Sequence, residues 1–114
     1  MEEKNTLTIL WTNADLLTSQ YMVMMYARNS MLRGWWEKVT VVIWGATARL
    51  AAENAVIQEE MKLSQNAGVK FSACVACARQ LGVVSQLEAL GAEVIAWGPL
   101  LTEILKNDEK LLTV

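Results

Sequence analysis

Val39-Thr40-Val41-Val42-Ile43-Trp44, closed by Gly45, is the stretch that decides the fold. Its first five residues are all β-branched, and Thr40 is its only polar residue. A strand with one wet face alternates apolar and polar residues, whereas a near-continuous run belongs to a strand covered on both faces. Parallel sheets under crossover helices bury their strands in that way. After Gly45, Ala46 to about Asn66 is rich in the helix formers Ala, Leu, Glu and Gln, and Asn66-Ala67-Gly68 stops that helix. Upstream, Asp15 to about Leu32 has no Gly or Pro and sets Leu16, Tyr21, Met24, Met25 and Leu32 on overlapping helical faces. Gly34 then acts as a helix C-terminal glycine. Before that helix, Thr6–Trp11 reads as a strand ended by Thr12-Asn13.

The alternation continues downstream. Val69–Ala73 is a third strand that runs into Cys74 and a helix of about two turns to Leu81. Gly82 and Gly91 frame a short helical piece, Ser85–Leu90. Glu93–Trp97 is a fourth strand ended by Gly98-Pro99, and Pro99 suits the first turn of a helix through about Lys106. Lys110–Val114 completes the set as an edge strand. Strands alternating with helices are βαβ units. The expected fold is one α/β domain over residues 1–114: a doubly wound, mostly parallel five-stranded sheet, helices on both faces, right-handed crossovers.

Composition removes several classes of chemistry. The chain has 114 residues, 54% hydrophobic and 19% charged, with no histidine and two cysteines. No histidine means no His base and no His metal ligand. Two cysteines fall short of the four thiolates of an all-cysteine zinc site or an iron–sulfur cluster. A net charge of -2 gives no electrostatic footprint for nucleic acid. Gly45-Ala46-Thr47 is not a phosphate loop, because it has neither Gly-x-Gly-x-x-Gly nor a Gly-Lys-Ser/Thr ending. No cofactor is expected. The longest uncharged stretches, such as Leu16–Ala27 and Val39–Ala48, are well short of the ~18 residues of a membrane span. The charged start Met1-Glu2-Glu3-Lys4 does not read as a signal segment. A cytoplasmic protein with its thiols reduced is expected. The apolar excess, with five tryptophans, points to a surface kept for a second copy of the chain. That surface is placed on Tyr21–Tyr26 and on Trp35-Trp36.

In such sheets ligands collect beyond the carboxyl ends of the strands. The residues placed there are Thr12, Asn13, Trp44, Gly45, Thr47, Cys74, Trp97, Gly98 and Pro99. Cys74 is the chemical group among them. It sits where a strand becomes a helix, and the free N–H groups of a first helical turn stabilise a thiolate. Cys77 lies one turn on, within disulfide reach if that turn adjusts. Trp44 and Trp97 end strands two and four and would wall an apolar slot beside Cys74. Arg49 and Arg79 either draw an anion toward it or are ordinary solvated helix charges. Asn13 and Thr47 suit a polar rim or helix capping. A buried cysteine is also a common core residue. Cys-x-x-Cys also fits a thioredoxin-type dithiol, but Trp-Cys-Gly-Pro-Cys is missing and the motif follows a third strand. A non-catalytic oligomeric binding module is the remaining alternative.

Phe71-Ser72-Ala73-Cys74-Val75-Ala76-Cys77-Ala78-Arg79-Gln80-Leu81-Gly82-Val83 resembles the DsrE/DsrF-like family of small sulfur-relay proteins. The likeness extends more loosely over nearly the whole chain, to the Gly-Ala-Glu-Val entry to strand four and the final Leu-Leu-Thr-Val. The resemblance implies a flavodoxin- or Rossmann-like layering, a homotrimer or homohexamer, and a sulfurtransferase-type carrier that exchanges sulfur with donor and acceptor proteins. It implies a persulfide on Cys74, the cysteine that precedes Val-Ala. Cys77 falls where members often have alanine; a role as resolving thiol rests on its spacing alone.

Overall fold

The structure, a computed structural model, describes residues 5–114; Met1 to Lys4, on which the reading of the chain's start rests, lie outside them. Five strands, β1 (Thr6–Trp11), β2 (Lys38–Ile43), β3 (Lys70–Cys74), β4 (Glu93–Ile95) and β5 (Leu111–Thr113), form one sheet in the order β4-β3-β2-β1-β5. Every neighbouring pair is parallel. The chain therefore steps outward from β1 to β4 and returns to the opposite edge, where β5 lies beside β1.

The first crossover contains α1 (Leu16–Thr18), a π-helical segment Ser19–Met24 and α2 (Met25–Leu32). The second contains α3 (Ala46–Glu53) and α4 (Ala55–Asn66), the third α5 (Val75–Leu81) and α6 (Val84–Ala89), and the return step α7 (Trp97–Lys106). Right-handed steps in one direction stack their helices on one face, and a step in the reverse direction lands on the other. The core divides accordingly. Ile9, Trp11, Val41, Ile43, Phe71 and Ala73 pack with Val23, Ile57, Met61 and Leu87 from the helices of the first three crossovers. On the opposite face Val42 and Cys74 pack with Trp97 and Ile104 of α7, bordered by Leu10, Ile95 and Leu111. The sheet is doubly wound, and unequally so, with α7 alone on the second face. That single helix is why the β2 run is apolar on both sides: Val41 and Ile43 face one layer and Val42 the other.

Two helices depart from the sequence reading. The helix expected over 46–66 breaks at Asn54, whose backbone is extended (φ −102°, ψ 115°) and whose side-chain Oδ1 accepts from Ile57 N at 3.0 Å. Asn there starts α4 instead of continuing α3, because a local cap competes with helix propagation. The helix after β1 turns π-helical over Ser19–Met24, which rotates its buried side. The buried residues are Ser19, Val23, Met24, Ala27 and Ser30; of the residues set on overlapping helical faces, Met24 is buried, Leu16 half-buried, and Tyr21, Met25 and Leu32 exposed. Asp15 caps its start, accepting from Thr18 N and Thr18 Oγ1, both at 2.9 Å. These donors hold the Asp15 carboxyl below the usual carboxylate range. Among the described residues no helix is long and apolar enough to cross a membrane.

Candidate functional site

The alternation of β3 sets its two last side chains apart. Ala73 joins the many-helix face and Cys74 the α7 face. Cys74 pairs with Ile95 of β4 and is the N-cap residue of α5, with extended backbone (φ −68°, ψ 117°). It is 6% exposed. Trp97 closes over this region and is fixed by a short chain of hydrogen bonds. Its Nε1 donates to Ser72 Oγ at 2.7 Å, and Ser72 Oγ donates to the Glu93 carbonyl at 2.7 Å. Trp44 is half-buried against the same cluster. Cys74, Trp44 and Trp97 are thus brought together as a packed cluster, with Trp97 and Cys74 both buried, in place of the open slot expected there.

The open space lies one helical turn away. A cleft of about 760 Å³ runs between α3 and α5, with Ala14 of the loop after β1 completing it. Gly45, Ala46, Leu50, Ala76, Cys77 and Leu81 line it, with Arg49, Glu53 and Gln80 as its polar members. Cys77 is half-buried and, like Cys74, a free thiol. Burial pushes the Cys77 thiol above its usual range, the N–H of Gly45 works against that rise, and the neighbouring Cys74 sulfur adds to it. Cys77 also packs against the buried cluster that contains Cys74. Gly45 lines the cleft beside Cys77 with a backbone (φ 70°, ψ −127°) that a residue with a Cβ rarely adopts.

The other residues placed at this end have different surroundings. Thr12 and Asn13 are exposed, and Thr12 N, Thr12 Oγ1 and Asn13 N all donate to the Val114 carbonyl, tying β1 to the chain end. Asn13 Oδ1 accepts from Asp15 N at 2.9 Å, so it supports the cap without being it. Thr47 is fully buried: its Oγ1 donates to the Trp11 carbonyl at 2.7 Å and accepts from Trp44 N at 3.1 Å. It neither caps α3 nor reaches the cleft. Gly98 and Pro99 are exposed in the first turn of α7. Arg49 lines the cleft, whereas Arg79 is an exposed charge in the last turn of α5.

Sequence reasoning reached Ala46 within Gly45–Thr47 but missed Ala14, Leu50, Ala76 and Leu81 as cleft residues. The available signal was their spacing: Ala46 with Leu50, and Cys77 with Leu81, stand four apart on one helix face each. Among the described residues no three His, Cys, Asp or Glu groups are clustered to hold a metal. What the arrangement offers is exchange chemistry between two adjacent sulfurs, one buried and one facing a cleft.

A solved structure described as a conserved protein of unknown function, BT1422 from Bacteroides thetaiotaomicron, is 39% identical over 100% of this chain and 98% of its own, with a TM-score of 0.97. The ychN protein from E. coli has the same fold, with a TM-score of 0.71 at 16% identity over 96% of this chain and 99% of its own. No curated protein matches the chain. The model of the DsrE/DsrF-like family matches residues 8–114, which takes in every strand but the first two residues of β1, and the chain belongs to that family.

Proposed function

We propose that this chain is a sulfur carrier: Cys74 holds a persulfide and passes its outer sulfur to a partner thiol. The observation that supports it is the placement of two free thiols in one packed cluster at the carboxyl end of β3, one of them opening on a cleft. The chemistry needs no metal or histidine. A cysteine thiolate attacks the terminal sulfur of a donor R–S–SH. The new cysteine S–S bond forms, the donor's S–S bond breaks, and R–S⁻ leaves with the electron pair. An acceptor thiolate repeats the step and regenerates the cysteine. Membership of the DsrE/DsrF-like family supports the same reading. The reading includes a cytoplasmic setting, donor and acceptor proteins, and assembly of several copies through the exposed apolar face of the helix after β1.

The test is loading with excess sulfane donor, removal of the donor, then intact-mass analysis and peptide mapping. One added sulfur per chain, mapped to Cys74, is expected. No retained sulfur, or sulfur held on Cys77 alone, overturns the proposal. A second reading, a dithiol that cycles through a Cys74–Cys77 disulfide, draws on the same adjacency. It requires that mild oxidant remove both thiols from alkylation and that reductant restore them.

A further inference from the structure

Holding sulfur on the buried Cys74 does not by itself account for the size and apolar lining of the cleft beside Cys77. Its volume of about 760 Å³ falls within the range of small-molecule sites, ~300–1,000 Å³. Gly45, Ala46, Leu50, Ala76 and Leu81 offer it hydrocarbon or bare backbone, and Cys77 is the one thiol in its lining. Arg49 and Glu53 stand four residues apart on α3 and cancel one another in charge. A strongly charged molecule finds no complement there, whereas an apolar one gains by leaving water.

We propose that this cleft takes a low-molecular-weight persulfide with an apolar alkyl or aryl body, and that Cys77 accepts its sulfur and relays it to Cys74. The inference rests on the carrier reading above and names its donor class and entry residue. In the first step the Cys77 thiolate attacks the terminal sulfur of R–S–SH. The Cys77 Sγ–S bond forms, the donor's S–S bond breaks, and R–S⁻ leaves and takes up the proton that Cys77 released. In the second the Cys74 thiolate attacks the same outer sulfur; the Cys74 Sγ–S bond forms, the Cys77 Sγ–S bond breaks, and Cys77 returns as thiolate. Sulfur moves at an unchanged oxidation level, so neither oxidant nor reductant is consumed. Gly45 lines the cleft beside Cys77, and its N–H favours the negative charge that Cys77 carries before and after the transfer.

The experiment measures modification of Cys77 in the full chain carrying Cys74→Ser, so that the adduct is not passed on. Benzyl methanethiosulfonate is compared with its 2-sulfonatoethyl and 2-trimethylammonioethyl analogues, each rate divided by that of a free cysteine derivative. A benzyl preference of about tenfold or more over both charged reagents is expected. Ala46→Asp and Ala76→Asp, each tested separately in that background, should reduce it to near one at an unchanged melting temperature. Aspartate suits the first turn of a helix, so either change places charge in the cleft without opposing α3 or α5. In the unaltered chain, benzyl persulfide should load Cys74, and Cys77→Ser should slow that loading about tenfold or more. A parent preference near one, a preference kept by both aspartate variants, or equal loading rates with and without Cys77 overturns the inference. Sulfur on Cys74 from inorganic polysulfide without an apolar preference overturns the cleft alone. An apolar preference with no sulfur retained on Cys74 overturns the carrier reading and leaves the cleft's selectivity standing.

Discussion

Cys74 and Cys77 are one helical turn apart and live in different solvents. Cys74 ends a strand whose side chains alternate, and the alternation buries it under Trp97. Cys77 lies in the first turn of α5 facing α3, so its partly exposed side chain meets the cleft. The position of Cys74 was legible in the sequence, because a β-like run passing into a helix fixes what stands at the junction. The setting of Cys77 was not, since its cleft is made by α3, some thirty residues earlier in the chain. The difference has a pH signature. Burial disfavours the Cys77 thiolate, so at a given pH less of it is ionised than of free cysteine. Its alkylation by iodoacetamide should rise at higher pH than that of free cysteine, and Cys74→Ala should move the curve part of the way back by removing the neighbouring sulfur. A curve coincident with free cysteine in the unaltered chain would refute this. The same raised value means that the folded state prefers the protonated thiol. Its contribution to stability is fully present below the ordinary thiol range and fades as pH climbs through the raised value.

At the scale of elements, β2 and its glycine were readable because burial on both faces leaves an unmistakable apolar run. Boundaries that depend on one polar side chain were not. Asn54 splits a segment whose composition favours one long helix, and Thr47, which suits a cap, does something else. Its hydroxyl ties the end of β1 to the end of β2 by donating to the Trp11 carbonyl and accepting from Trp44 N. Gly45 lies between those anchors and lines the cleft beside Cys77. Thr47→Val keeps the shape but leaves polar backbone groups of a buried region with fewer partners. It should cost about 1–3 kcal/mol in urea unfolding. It should also change the alkylation rate of Cys77, whereas Asn54→Ala, which costs about 1 kcal/mol through the α4 cap, should leave that rate alone. Equal effects of the two variants on Cys77 would show that Thr47 acts on stability only.

For the whole molecule the telling fact is which residues the helix after β1 chooses to bury. Its inward side carries Ser19, Val23, Met24, Ala27 and Ser30, while Leu17, Tyr21, Met22 and Met25 face outward, Tyr21 at 62% exposure. Leaving four large apolar side chains outside while Ser19, Ala27 and Ser30 take inward places is not what a lone monomer would select. Trp35, 53% exposed beside Tyr26 with ring centroids 6.0 Å apart, adds aromatic surface after the same helix. The composition announces this excess, but the π-helical turn decides which members of Tyr21–Tyr26 stay outside, and no periodicity of 3.6 foresees it. A stable protein interface covers about 800 Å² per partner and is richest in aromatic and methionine side chains at its centre. This face has that chemistry. The proposed self-association therefore makes a definite demand: by light scattering the chain should run at a multiple of its 12.7 kDa. Tyr21→Glu combined with Met25→Glu adds two charges to the outward side and touches none of the buried residues, so the variant should fold and run as a single chain. A monomeric parent at micromolar concentration, or a double variant with the parent's mass, would remove this face from the interface and require another explanation for apolar residues left in water.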